Sequence, residues 1–98
     1  MIYNIVIKES VREKINEISK YIYQISFDVN ASTKVYNYIF QEIFWLKVFP
    51  NRNPKFNNIF RVLTISKKYR IFYKVDEKQK IVFVSNIFFS REDYFNKF

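Results

Sequence analysis

The pattern of apolar and polar residues in the second half of the chain predicts three consecutive β-strands. They span residues 58–65, 69–75 and 81–89, and they are rich in β-branched and aromatic side chains, which suit a pleated, half-buried surface. Because the connecting segments are short and polar, neighbouring strands must pair as antiparallel hairpins. The last strand is apolar at nearly every position, which predicts a central strand covered on both faces.

The first half of the chain predicts one more strand and then a helix. Residues 2–8 alternate with a period of two, which is typical of a strand. Apolar residues then recur every three or four positions, which predicts an amphipathic helix. Ser10 and Glu13 have the spacing of a capping box, so we expect the helix to begin there. Its apolar stripe comprises Val11, Ile15, Ile18, Ile22 and Ile25.

A second helix follows a short break in the pattern. Asp28 or Asn30 can cap its first turn, and Pro50 ends it near Phe49 by disfavouring helical geometry at the preceding residue. The two helices therefore form an antiparallel hairpin. The apolar stripe of this helix comprises Ala31, Val35, Ile39, Ile43 and Leu46, and it is widened by Phe40, Phe44 and Trp45. We predict that Phe44, Trp45 and Phe49 lie in the core, with part of so wide a face left open for a partner.

The order of these elements defines the fold class. One strand, two helices, three strands and a short tail predict a two-layer α+β domain: an N-terminal strand, an antiparallel helical hairpin and a three-stranded antiparallel meander. Ser90 can open a short helix in the tail. With 98 residues, of which 49% are hydrophobic, the chain is predicted to form a single domain over residues 1–98.

Composition narrows the function. No apolar run is long enough to cross a bilayer and the N-terminus is not a signal peptide, so we expect a soluble cytoplasmic protein with no membrane partner. The chain has no cysteine and no histidine, which removes thiolate chemistry, the commonest general base and the commonest metal ligand. The carboxylates are scattered without metal-binding spacing. We therefore expect no metal and no cofactor.

The net charge of +8 comes from one segment of the chain. Between Ile43 and Val75 there is no acidic residue, whereas the rest of the chain is balanced. Such a cluster suits a polyanion, which could be nucleic acid, a ribosome or an acidic protein. A solvated, lysine-rich surface is the alternative. The basic residues of the segment are Lys47, Arg52, Lys55, Arg61, Lys67, Lys68, Arg70 and Lys74.

Two of these cations lie within predicted strands. Arg61 and Arg70 would be costly on an inward face, which predicts that they project from an open sheet face or belong to a site. Alternatively, they pair with Asp76, Glu92 or Asp93 and hold the tail against the sheet.

An ordered set of short motifs resembles the RelE/ParE superfamily of toxins from type II toxin–antitoxin systems. The set covers essentially the whole chain, and the helical hairpin, the L-x-x-x-P ending of the second helix and the final R-x-D are most similar to the ParE-type, or plasmid-stabilisation, branch. The motifs are Y-I-Y-Q-I-S, Ala31, L-K-V-F-P, F-R-V-L, Y-R-I-F-Y-K-V-D and S-R-E-D-Y.

The resemblance implies a small toxin that is neutralised by an antitoxin encoded beside it, in a toxin–antitoxin hetero-oligomer. The implied target is DNA gyrase in ParE-like members, which are not enzymes, or mRNA on the ribosome in RelE-like members, which are metal-independent endoribonucleases. We favour the ParE-like function. The ribonuclease, a residually active or inactive relative, and a basic nucleic-acid-binding module are the alternatives.

The resemblance also implies candidate site residues. Ribonucleases of this superfamily use basic residues on the second and third strands and an arginine and a tyrosine near the C-terminus. Arg61 and Arg70 match the strand positions, and Arg91 and Tyr94 lie near the C-terminal ones. The two strand arginines would clamp phosphate oxygens, while the tyrosine would stack on a base or pass a proton.

Two positions depart from the ribonuclease pattern. Leu63 falls where RelE-like enzymes tend to have a second strand lysine, and Ser90 lies near the expected terminal arginine. Arginine is a poor general base because it stays protonated. The proton transfers of RNA cleavage therefore lack an obvious agent, which favours the ParE-like function.

Overall fold

The computed structural model describes residues 2–90, which form an α+β arrangement of two layers. Along the chain the elements are β1 (Asn4–Ile7), α1 (Glu9–Ser26), α2 (Val29–Phe44), a 3₁₀ helix (Trp45–Lys47), β2 (Arg61–Ile65), β3 (Tyr69–Asp76) and β4 (Ile81–Phe89). This confirms the predicted fold class. The short tail helix predicted after Ser90 lies outside the described residues.

The four strands form one sheet in the order β1-β4-β3-β2. The pairs β2–β3 and β3–β4 are antiparallel hairpins, as predicted, and β4 is central. β1 pairs with β4 in parallel, with Asn4 opposite Ile81, a pairing that the sequence pattern did not reveal. Within β4, Asn86 lies opposite Phe72 and Val84 opposite Tyr73, so Ser85 is an extra, bulged residue.

The helix boundaries follow local hydrogen bonding. α1 begins one residue before Ser10, after an extended Lys8 that provides no side-chain cap, so the predicted capping box is wrong. It ends where Phe27 turns into the left-handed region (φ 53°) and donates its N–H to Tyr23. Asp28 caps α2 by accepting the Asn30 N–H at 2.9 Å, which confirms one of the two predicted caps.

The core lies between the helical hairpin and one face of the sheet. Most of the predicted stripe residues are buried there, together with alternate residues of β3, as the alternation predicted. The prediction that Ile25 belongs to the buried stripe of α1 is wrong, because its side chain is 62% exposed. The predicted core position is also wrong for three aromatic residues, Phe44, Trp45 and Phe49, because each is about half exposed. The buried helix and β3 residues include Val11, Ile15, Ile18, Ile39, Ile43, Leu46, Tyr69, Ile71 and Tyr73.

The opposite side of the sheet, here called the outer face, carries its own aromatic cluster. The Phe72 ring packs edge-on against Phe56 and Phe88, with centroid distances of 4.9 and 5.7 Å. Phe72 is completely buried even though it points away from the helices. The outer face is therefore not an open plane, and its side chains project from a well-packed platform.

The first strand of the meander is shorter than predicted. The pattern indicated a strand from residue 58, but β2 begins at Arg61. The side chain of Asn57 accepts the N–H groups of Ile59 and Phe60 at 2.8 and 2.7 Å, which makes an Asx turn. The turn takes up the backbone donors that a strand would use in its ladder. Arg61 consequently becomes the first strand residue.

Candidate functional site

Arg70 projects from the outer face of the sheet. It lies on β3 between Thr64 of β2 and Phe88 of β4 in the strand register, and directly opposed residues share a face. One of its terminal nitrogens, Nη1, donates a hydrogen bond to Thr64 Oγ1 at 3.0 Å. Its Nε is buried and finds no hydrogen-bond partner among residues 2–90. A buried donor is costly to leave unpaired, so this nitrogen is a strained feature of the outer face.

Arg61 lies on the other side of the sheet. It is directly opposite Tyr73, a fully buried core residue that faces the helices, so Arg61 faces the same way. Its Nη1 donates a hydrogen bond of 2.7 Å to the carbonyl oxygen of Asn53. The predicted open-face position of Arg61 is therefore wrong. Its charge is accommodated at the sheet edge because a loop carbonyl accepts a hydrogen bond from the guanidinium.

Arg61 belongs to a polar group that we call the loop cluster, formed by Pro50, Asn53, Arg61 and Tyr73. The Tyr73 hydroxyl donates to the Pro50 carbonyl at 2.6 Å and accepts from Asn53 Nδ2 at 3.1 Å. Burial raises the pKa of Tyr73, against the opposing influence of Asn53 and the Arg61 charge. The hydroxyl therefore stays protonated and holds the loop that follows the 3₁₀ helix.

The two strand arginines consequently do not converge on one site. Arg70 is on the outer face and Arg61 is on the helix side, so a single phosphate cannot lie between them. Within residues 2–90 neither forms an ion pair, and the carboxylate of Asp76 instead accepts backbone N–H groups in the β3–β4 turn. Arg91 and Tyr94, and the acidic residues Glu92 and Asp93, lie outside the described residues. The alternative in which the tail ties down the arginines therefore stays a prediction.

The positions that depart from the ribonuclease pattern contribute no charge to the outer face. Leu63 is opposite Ile71 and is buried on the helix side. Ser90 is half-buried and donates its N–H to the Lys68 carbonyl at 2.8 Å. Among residues 2–90, no three acidic side chains lie close enough together to hold a metal ion. Arg70 is thus the predicted site residue that the described outer face retains.

A carboxylate network that the sequence pattern did not indicate ties the β3–β4 turn to two other regions. Glu77 accepts hydrogen bonds from Asn51 Nδ2 at 2.9 Å, the Tyr3 hydroxyl at 2.7 Å and Lys80 Nζ at 3.3 Å. These donors lower the pKa of Glu77 from 4.5 to about 2, and the Asn51 amide has the largest effect. The residues are far apart in sequence, so no local motif could have revealed them. Asn51 anchors the same loop that Arg61 holds.

A family model described as the ParE toxin of type II toxin–antitoxin systems, parDE, matches residues 5–94. The solved structure of a double arginine-to-alanine mutant of E. coli toxin RelE in the free state is similar in fold, with a TM-score of 0.66 at 12% sequence identity. The match covers 99% of this chain and 93% of that chain. No curated protein sequence matches the chain.

Membership in the matched family implies an antitoxin protein as a partner. None of the helices in the described part of the chain is long and apolar enough to cross a membrane. The fold and a family match over almost the whole length lead to one conclusion. The chain belongs to the ParE toxin family of type II toxin–antitoxin systems, within the RelE/ParE superfamily.

Proposed function

We propose that this toxin inhibits growth by binding DNA gyrase, without catalysing a reaction of its own. The separation of Arg61 and Arg70 onto opposite faces of the sheet carries this proposal. Metal-independent RNA cleavage needs a base for the 2′-hydroxyl, cations for the phosphorane charge and an acid for the leaving oxygen. Residues 2–90 supply one outer-face arginine, and its guanidinium is neither a base nor an acid at neutral pH.

Arg70 is the residue that we assign to the target. Its Thr64 partner holds one arm of the guanidinium, and the packed aromatic cluster of Phe56, Phe72 and Phe88 supports the strand beneath it. A charge held on a rigid sheet is well placed for a carboxylate or phosphate of a partner.

A RelE-like ribonuclease is the second candidate, and one observation favours it. The acid-free segment from Ile43 to Val75 places Lys67, Lys68 and Lys74 exposed on or beside β3, near Arg70 in the chain. Such a surface would attract the phosphates of mRNA or rRNA. A basic nucleic-acid-binding module would use the same surface without toxicity.

Timing of damage in cells separates these functions. The toxin should be expressed from a tightly controlled promoter, with DNA-damage signalling and ribosome-bound mRNA followed together. We expect DNA breaks and damage signalling before any loss of translation. Codon-specific cuts in ribosome-bound mRNA that precede DNA breaks would overturn the gyrase proposal in favour of the ribonuclease. Normal growth with soluble, folded protein would contradict toxicity itself.

A biochemical experiment tests the target directly. Purified toxin should inhibit supercoiling by purified gyrase in proportion to the folded toxin added, and Arg70→Ala toxin at the same concentration should not. The Lys74→Ala variant is a matched control, because Lys74 is an exposed cation on the same face of the same strand. If Arg70→Ala inhibits gyrase supercoiling as strongly as the parent toxin does, Arg70 does not contact the target.

We also propose that an antitoxin encoded next to this gene neutralises the toxin by forming a hetero-oligomer with it. The basic segment and the exposed aromatic side chains suit an acidic segment that folds on binding. Coexpression of the neighbouring gene should restore growth and should yield a complex that copurifies. Growth arrest that persists despite soluble neighbouring protein would contradict this pairing.

A further inference from the structure

The end of the helical hairpin, residues 19–32, carries an aromatic side chain in an unusual position, and we call this end the hairpin tip. At the turn between the helices Phe27 is 81% exposed, more than any other large hydrophobic residue among residues 2–90. Its backbone is left-handed (φ 53°), which is costly for a residue with a Cβ. The other left-handed residues that the structure describes are polar: Ser66, Lys67 and Lys80. A strained and exposed aromatic residue indicates a contact outside the monomer.

Local hydrogen bonds hold the hairpin tip in this conformation. The Phe27 N–H donates to the Tyr23 carbonyl at 2.7 Å, and the Asp28 N–H donates to the Ser26 hydroxyl at 3.1 Å. The Asp28 carboxylate in turn accepts the Asn30 N–H at 2.9 Å. The aromatic ring is therefore presented by a fixed turn, so little backbone freedom is lost when a partner covers it.

The hairpin tip also contains a hollow of about 450 Å³, between the end of α1 and the start of α2. Its polar groups are already satisfied, because the Ser19 hydroxyl donates to the Ser32 carbonyl and the Ser32 hydroxyl donates to the Val29 carbonyl. Tyr23 and Val29 are both exposed, so the hollow favours an apolar occupant. Phe27 does not line it, so the ring of the same chain leaves it open. The lining residues are Ser19, Lys20, Tyr23, Gln24, Val29 and Ser32.

The ring and the hollow together make the hairpin tip self-complementary. A two-fold dimer needs both the protruding group and its cavity on one patch, because each copy supplies what the other receives. Charge favours the same partner. The only charged side chains of the tip are Lys20 and Asp28, so the tip is neutral in a chain of net charge +8. Two tips can meet without net repulsion between them, whereas a polyanion or an anionic membrane finds no excess of cations there.

We propose that two copies of the chain associate through their hairpin tips, with the Phe27 ring of each copy in the hollow beside Tyr23 and Val29 of the other. A contact between two hairpin ends is small, so the dimer should be weak and reversible, with a micromolar dissociation constant. The inference goes beyond the gyrase proposal and does not depend on it. The tip lies on the helical hairpin, whereas Arg70 lies on the outer face of the sheet.

Sedimentation velocity of the purified, antitoxin-free chain tests the association. The molecular mass should rise reversibly with concentration, from 12.2 kDa towards twice that value. Added salt should not weaken the dimer, because the tip is neutral and salt screens the repulsion between two molecules of charge +8. A chain that is still monomeric at about 1 mM would overturn the proposal, since even a weak specific contact forms dimers at that concentration.

The variant Phe27→Asn locates the contact. Asparagine tolerates the left-handed backbone better than phenylalanine does, so the melting temperature in dilute solution should equal or exceed that of the parent. Without the ring, dimerisation should be at least about tenfold weaker. The matched control is Ile59→Asn, because Ile59 is an apolar residue outside the tip that is 63% exposed. It should dimerise within about twofold of the parent. Equal weakening by both variants, or none by Phe27→Asn, would contradict the proposal.

A second variant tests the hollow. Val29→Glu places a carboxylate where the ring of the other copy would pack, and an acid in the first turn of α2 is compatible with the helix. This variant alone should also be monomeric. Mixed with Phe27→Asn it should form a heterodimer, because its intact ring fits the intact hollow of Phe27→Asn. The mixture should dimerise more strongly than either variant alone and more weakly than the parent. If the mixture stays monomeric, the reciprocal arrangement is wrong.

Other occupants of the hairpin tip give different results with the same proteins. If the parent is monomeric and binds vesicles of phosphatidylglycerol and phosphatidylcholine, and Phe27→Asn does not, the tip contacts lipid and the proposal fails. If the parent is monomeric and gyrase inhibition requires Phe27, the tip contacts the target and the proposal also fails. A parent that dimerises through Phe27 without inhibiting gyrase would leave this inference standing and would contradict only the gyrase proposal.

Discussion

Each face of the sheet carries one strand arginine, and the two arginines have different hydrogen-bond partners. On the helix side Arg61 donates to the Asn53 carbonyl and sits beside the hydroxyl of Tyr73, so that its charge serves to hold a loop. On the outer face Arg70 has a threonine partner for one nitrogen and an unpaired, buried Nε. The same residue type on adjacent strands therefore binds a loop carbonyl in one place and a threonine hydroxyl of the neighbouring strand in the other. Environment, and not position within a strand, decides which.

Removal of the Arg70 side chain should have the largest effect on toxicity and should show whether the two arginines differ in function. We expect Arg70→Ala to abolish growth inhibition, because truncating one partner of a buried, charged contact costs about 2–5 kcal/mol of binding. Its free energy of unfolding should stay within about 0.5 kcal/mol of the parent, since no ion pair among residues 2–90 is lost. Thermal unfolding and growth inhibition should be measured on the same variant, with Lys74→Ala as control. A destabilised Arg70→Ala that is still toxic when folded would give Arg70 the structural role instead.

Removing Arg61 should produce the opposite pattern with a smaller effect. Arg61→Ala leaves the Asn53 carbonyl without its donor at a half-buried site, so the free energy of unfolding should fall by about 1–2 kcal/mol. The melting temperature should drop by several degrees, about 4–8 °C per kcal/mol for a domain of this size. Toxicity should decline only with the folded fraction. Arg52→Ala is an exposed control from the same loop. A fully stable but harmless Arg61→Ala would place Arg61 at the target.

The smallest expected effect on stability comes from the Glu77 carboxylate. It holds the loop after the 3₁₀ helix through Asn51, as Arg61 holds it through Asn53. Its pKa is lowered to about 2 in the folded protein, so its contribution to stability is present above its ordinary value of 4.5 and is lost as the pH falls towards 2. Glu77→Gln should therefore be somewhat less stable than the parent at pH 7 and should lose less stability between pH 4.5 and 2. Urea unfolding at pH 7, 4.5 and 2.5 measures both. Parallel pH profiles would show that the carboxylate network contributes nothing to stability, and toxicity should be unchanged.

Much of the fold could be predicted because its elements are locally encoded. The alternation in β3 places Arg70, Phe72 and Lys74 on one face, and the structure agrees. The helical stripes from Val11 to Ile18 and from Ile39 to Leu46 also lie in the core as predicted. These patterns succeed because a period of two or of three to four residues directly determines which side chains share a face.

The errors arise where the outcome depends on partners far away in sequence. The pattern of α2 has apolar residues over so wide an arc that it cannot distinguish Ile43, which meets the sheet, from Phe44 and Trp45, which do not. Ile25 continues the stripe of α1 but remains 62% exposed near the end of that helix. The face of Arg61 depends on its register with Tyr73 and on a carbonyl in a separate loop.

The parallel pairing of β1 with β4 constrains when the protein can form during synthesis. β1 and both helices are made first, but the strand that joins β1 to the rest of the sheet is the last one described, and it pairs Asn4 with Ile81. A nascent chain that stops before β4 leaves the helical hairpin without the central strand on which α1 packs. Contacts between such distant residues also form slowly, because a long loop must close before they contribute. A ribosome that stalls or terminates before β4 is made would therefore release a product in which β1 has no strand to pair with, and the cell would meet the folded toxin only after β4 has been translated.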